Sequence, residues 1–150
     1  MGRVSEPDPF DLQRFVEAQD AGGTYATALA ELRAGRKRTH WMWFVLPQVA
    51  GLGTSAMAQR YALSGLGEAR AYLAHPVLGP RLLACARALA DADPALAPDA
   101  ATVLGPVDAV KLRSSMTLFA RAAADDEPVF AEVLDRYFDG VHDPSTLRRL

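Results

Sequence analysis

Thr39-His40-Trp41-Met42-Trp43-Phe44-Val45-Leu46-Pro47-Gln48, running on through Gly51-Leu52-Gly53-Thr54-Ser55, is the stretch on which the fold assignment turns. It holds both tryptophans and one of the three histidines, and no other window is so aromatic or so poor in charge. Trp41 to Leu46 is the one strand candidate in the sequence. A single strand has no partner to pair with, so helix or irregular structure is expected there. With that segment removed from the strand count, the reading is all-α: a compact multihelical single domain of six to eight short helices.

The spacing of the tryptophans carries a second expectation. Residues two apart on a helix point about 200° apart, whereas on a strand they share a face. On a helical segment Trp41 and Trp43 therefore cannot both face one core. Each ring removes roughly 150–250 Å² from water when buried, about 4–6 kcal/mol as an upper bound. Either both rings simply lock the stretch onto the helices from an irregular segment, or one lines a different surface, a groove.

Toward the N-terminus, Thr24 begins a helix whose Tyr25, Ala28, Leu29 and Leu32 fall at i, i+3, i+4 and i+7. Gly35 suits the left-handed position beyond its end. Arg33, Arg36, Lys37 and Arg38 cluster there, either complementing the helix dipole or forming an anion patch beside the aromatic stretch. Before it, Asp8-Pro9 looks like a cap with proline at the first helical position. Phe15 and Gln19 follow at helical spacing, and Ala21-Gly22-Gly23 is the break. Residues 1–7 read as a disordered lead and 8–150 as the domain.

Toward the C-terminus, Ser55 to Ala62 predicts a short helix. Leu66 to Leu73 predicts another, Pro80 to Ala90 a stronger one, and Ala100 to Leu104 a brief turn. Pro106 opens a helix running to about Ala123, with Asp108 in its first turn. Leu112, Met116, Phe119 and Ala123 form one apolar stripe. Val107, Val110 and Leu118 widen it, which predicts a central, well-covered helix. A helix from Pro128 to Phe138 and a last short one capped by Asp143-Pro144 complete the chain.

The totals are those of a globular domain: 150 residues, 50% hydrophobic, 23% charged. A net charge of −2 gives no bulk attraction for nucleic acid or acidic membranes. Cys85 is the lone cysteine, so no intramolecular disulfide exists, and it reads as a small buried hydrophobe. No secretory signal and no membrane-spanning run is visible, so a cytoplasmic protein is expected. His75, His142 and Cys85 lack metal-ligand spacing, and no cofactor or phosphate-loop motif is present.

Two constellations remain. In the aromatic stretch, Lys37, His40, Trp41, Trp43, Gln48 and Ser55 gather a cation, two aromatic faces and hydrogen-bonding groups beside glycines that permit close backbone approach. On the later helix, Asp108, Lys111 and Ser115 share one face, flanked by Ser114 and Thr117. Their hydroxyls either bond the carbonyl one turn back or form the polar floor of a pocket.

Gly35-x-Lys37-x-x-His40-Trp41-Met42-Trp43-Phe44, Pro47-Gln48, Gly51-Leu52-Gly53-x-Ser55, Tyr61, Asp108-x-x-Lys111-Leu112-x-Ser114-Ser115-Met116-Thr117-Leu118-Phe119 and the closing Gly140 to Thr146 segment form one collinear set. From about Asp8 to Leu150 the chain resembles the family called "domain of unknown function 1810", some of whose members are mislabelled calpastatin. That resemblance implies an all-helical fold and no established activity. Part of the chain is also similar to a family linked to NAD and ADP-ribose chemistry, in a helix with a methionine and a late phenylalanine.

Together these readings predict a small anionic or nucleotide-like ligand bound between the Trp-rich stretch and the 106–123 helix, by Lys37, His40, Trp41, Trp43, Gln48, Ser55, Asp108, Lys111, Ser114, Ser115 and Thr117. Two alternatives stand beside it. One is a hydrolase of a nucleotide or ADP-ribosyl N-glycosidic bond, with His40 or Asp108 as acid/base. The other is a protein interaction module without a pocket.

Overall fold

Where an isolated strand would have been stranded, the chain makes a single helical turn. The computed structural model, which describes residues 7–123 and 125–150, places Met42–Val45 in one turn of α-helix with Trp41 at its N-cap. Among the described residues there are ten α-helices: α1 (Gln13–Asp20), α2 (Thr24–Arg33), α3 (Met42–Val45), α4 (Ala56–Arg60), α5 (Leu66–Ala74), α6 (Leu78–Asp91), α7 (Ala100–Leu104), α8 (Pro106–Ala123), α9 (Val129–Phe138) and α10 (Pro144–Leu147). The count exceeds the six to eight expected because the short segments foreseen at α4, α7 and α10 each close a helical turn of their own, and α3 adds a further turn in the aromatic stretch. The predicted disordered lead lies, apart from Pro7, outside the described residues.

Local chemistry sets most of these boundaries. The Asp8 carboxylate accepts hydrogen bonds from the backbone N–H groups of Leu12 and Gln13 at 2.8 and 2.9 Å, so it caps a helix beginning one turn later than expected. Ser55, Asp99 and Asp143 accept from the N–H groups of Ala58, Thr102 and Thr146 as N-caps of α4, α7 and α10. The Nδ1 of His75 accepts from the N–H groups of Val77 and Leu78 ahead of α6, which starts two residues before Pro80.

At the end of α2, Gly35 has φ +78°. Arg36 N–H donates to Glu31 O and Gly35 N–H to Leu32 O, the paired bonds of a Schellman end. This turn sends the following residues across the bundle, where Lys37 N–H donates to Val103 O of α7 at 2.7 Å.

α8 is the central element, packed against α5, α7, α9 and α10, while α6 packs on α2, α5 and α9. Its middle, from Ser114 to Phe119, is buried without interruption. Its first half is not: Val107 and Val110 are 69% and 65% exposed, contrary to the well-covered helix expected. Periodicity registers that a flank is apolar; it does not register that no neighbour covers it.

The core runs through Phe15, Trp41, Tyr72, Phe119 and Phe130, with Phe15–Tyr72, Tyr72–Phe119 and Phe119–Phe130 ring centroids 5.2–5.7 Å apart. Cys85 is fully buried there, and burial pushes its thiol up to about 12, so it is not a thiolate nucleophile. Among the described residues no helix is long and apolar enough to cross a membrane.

Candidate functional site

Trp41 lies at the start of α3, fully buried, with its indole N–H donating to Glu31 Oε1 at 2.9 Å. The same oxygen accepts from the N–H groups of Arg38 and Thr39, and Oε2 accepts from the Thr39 hydroxyl at 2.7 Å. Glu31 is 8% exposed and stands in the last turn of α2, where the helix dipole disfavours an anion. Burial alone would raise its carboxyl, but these hydrogen bonds outweigh it and hold the group at about 2. Glu31 therefore ties the incoming segment 38–41 into a closed knot.

Trp43 emerges on the other side of the turn. It is partly buried and lines a cleft of about 170 Å³. One wall is the aromatic stretch, through Met42, Trp43 and Leu46; the other is α4 and its exit, through Ala58, Gln59 and Tyr61. Gln48 to Gly53 run along the cleft, held by a lone parallel bridge between Val49 and Leu63. Leu63 N–H donates to Gln48 O at 2.9 Å and Ala50 N–H to Leu63 O at 2.7 Å. Gly53 is needed for close approach, since a Cβ there would collide with that of Ala58. α8 contributes one residue to the lining, Lys111.

The knot and the cleft are joined by charge. Lys37 Nζ sits 5.1 Å from the Trp41 ring centroid and 3.0 Å from Asp108 Oδ2. Lys111 Nζ sits 5.4 Å from the Trp43 ring centroid and 3.5 Å from Asp108 Oδ1. The result is a ladder, Trp41–Lys37–Asp108–Lys111–Trp43, in which two ammonium groups share one carboxylate. The Lys37 side chain is only 8% exposed and makes the shorter ion pair, whereas that of Lys111 is 25% exposed. The uncompensated positive charge thus lies at the cleft, held beside an aromatic face. None of the lining residues is acidic.

The remaining expected residues fall elsewhere. His40 is exposed and outside the cleft, and Ser55 is spent on capping α4. Asp108 has both oxygens facing ammonium groups.

The hydroxyl run on α8 does not floor the cleft. Ser114 and Thr117 donate to the carbonyls of Val110 and Arg113, four residues back. Each also grips Asp143: the one Ser114 hydroxyl proton is shared between Val110 O and Asp143 Oδ2, the latter at 3.1 Å, and Thr117 Oγ accepts from the Asp143 N–H at 2.9 Å. Burial would raise the Asp143 carboxyl, yet the bonds from Thr146 and Ser114 bring it below its ordinary value. Arg113 adds bonds to the carbonyls of Val141 and His142, so this strip of α8 anchors the C-terminal arm. Ser115 Oγ is buried without a hydrogen-bond partner among the described residues.

Three contributors were not foreseen. Glu31 had one signal, a carboxylate in a helix's last turn amid an arginine cluster. Gln59 had none. Arg149, at the end of the arm, reaches the cleft rim, where its Nη2 donates to Gly51 O at 3.3 Å. Among the described residues no cluster of histidine, cysteine and carboxylate groups is arranged to hold a metal ion.

The family model described as "Protein of unknown function (DUF1810)" matches residues 9–150. The chain belongs to the DUF1810 family. Its members' resemblance in the two Trp- and Ser-rich motifs is therefore matched by a relationship along nearly the whole sequence. A crystal structure similar to it is that of the conserved hypothetical protein Rv1873 from Mycobacterium tuberculosis. The two share 49% identity over 95% of this chain and 98% of that one, with a TM-score of 0.89. No curated protein matches this DUF1810 chain.

Proposed function

We propose that this DUF1810 protein binds a small anionic or nucleotide-like ligand in the cleft between the aromatic stretch and α4, which α8 reaches through Lys111 alone. The observation that carries this reading is the Lys111 ammonium. It shares Asp108 with a closer competitor, Lys37, rests against Trp43, and faces a lining without a carboxylate. An anion entering the cleft meets an attractive charge that has already lost part of its water, where electrostatics are stronger than in bulk. Trp43 and Met42 supply apolar surface, and Gln48 supplies an amide for orientation.

Binding is favoured over hydrolysis because the lining holds no histidine or carboxylate to move a proton. The test is a titration with AMP, ADP-ribose, inorganic phosphate and small carboxylates, following tryptophan fluorescence and melting temperature. A saturable response lost in Lys111→Met is expected; silence across the series at millimolar ligand overturns the reading.

A further inference from the structure

We infer that the occupant of this cleft is a single-ring anion: one aromatic or heteroaromatic ring bearing a carboxylate, and not a whole nucleotide. The inference rests on the cleft being the binding site and adds the ligand's size and charge.

Size comes first. The cleft holds about 170 Å³. An engineered apolar cavity of roughly 150 Å³ accommodates benzene. Sites for larger, drug-sized ligands run to roughly 300–1,000 Å³. One ring with a small substituent fills this space; a base, ribose and phosphate together do not. The walls suit a flat apolar body, with Trp43 and Met42 on one side and Ala58 and Tyr61 on the other.

Charge comes second. Lys111 is the one charged group in the lining and carries the ladder's single surplus charge, and the Arg149 guanidinium stands at the rim beside Gly51, so the cleft favours an anionic substituent on the ring.

A third observation is independent of both. Tyr61 is only 6% exposed, with its ring packed against Phe15 and Phe44 at 5.6 and 5.3 Å. Among the described residues its hydroxyl has no hydrogen-bond partner, and it is not one of the fully enclosed orphan atoms, which are Ser115 Oγ and His142 Nδ1. The ring is thus buried while the hydroxyl reaches solvent, and water satisfies it in the free protein. The cleft that Tyr61 lines is where a ligand heteroatom would do so.

Calorimetry and tryptophan fluorescence with benzoate, nicotinate, benzamide, inorganic phosphate, AMP and ADP-ribose test this on the full chain. Trp43→Phe assigns the optical signal, since Trp41 is enclosed. Benzoate or nicotinate is expected to bind at least roughly tenfold tighter than benzamide or phosphate, and at least as tightly as either nucleotide. Lys111→Met is expected to remove that preference, Lys111→Arg to keep it, and Tyr61→Phe to weaken nicotinate by a few-fold. The arginine and phenylalanine variants keep the test open should Lys111→Met fail to fold.

Tighter, Lys111-dependent binding of AMP or ADP-ribose overturns the size inference and leaves the cleft reading standing. Equal binding of benzoate and benzamide overturns the charge inference. No response to any probe overturns both.

Discussion

Trp41 and Trp43 are two residues apart on one helical turn and meet opposite environments. Trp41 is enclosed, its N–H taken by a carboxylate that four donors share. Trp43 keeps one side open to a cleft, beside an ammonium group whose counter-charge is mostly claimed by another lysine. Each ring has its own lysine, and a single aspartate joins them. The difference teaches that a Trp-x-Trp motif need not have one purpose. On a helical turn it divides, one ring fixing the backbone and the other presented by the backbone so fixed.

The largest expected effect tests that division directly. Trp41→Ala should cost about 3–5 kcal/mol in urea unfolding, as for other fully buried aromatic truncations, and Trp43→Ala less than about 2 kcal/mol. Equal costs would break the comparison.

A smaller effect sharpens it. Glu31→Gln should cost on the order of 2–3 kcal/mol at neutral pH. The folded carboxyl titrates near 2 and the ordinary value is 4.5, so the stabilisation is fully present above about 4.5 and is lost as pH falls toward 2. The wild-type stability should therefore decline through that window, and the decline should be shallower in Glu31→Gln. Identical acid profiles would remove Glu31 from the knot.

The smallest effects come from residues beside the two rings. His40→Ala should change stability by less than about 0.5 kcal/mol and leave any Trp43 ligand response intact, because His40 is exposed and outside the cleft. Ser115→Ala removes a buried hydroxyl without a partner and should be neutral or stabilising by up to about 1 kcal/mol. A clear loss of stability there would mean the hydroxyl has a partner in solution.

Much of the fold was legible because its determinants are local. Asp99, Asp143 and Ser55 cap the helices they precede, and Gly35 closes α2 within six residues. Lys37, Trp41, Trp43, Gln48, Asp108 and Lys111 also stood out, since cations and indoles interrupt otherwise ordinary apolar stripes.

What escaped depends on neighbours distant along the chain. The hydroxyls of Ser114 and Thr117 looked like a pocket floor because Asp143, their partner, lies 29 and 26 residues away. The arm docking on that strip, and the bare flank of Val107 and Val110, are decided by packing alone.

The contact between Arg149 and Gly51 has a consequence in time. It joins residues 98 apart in sequence. At the usual pace of translation, about 5–20 residues per second, the loop at the cleft rim is made roughly 5–20 s before its brace. The walls built from α3 and α4 are short-range and can form early. The rim is settled only when the last turn of the arm arrives, so it matures later than the walls it borders.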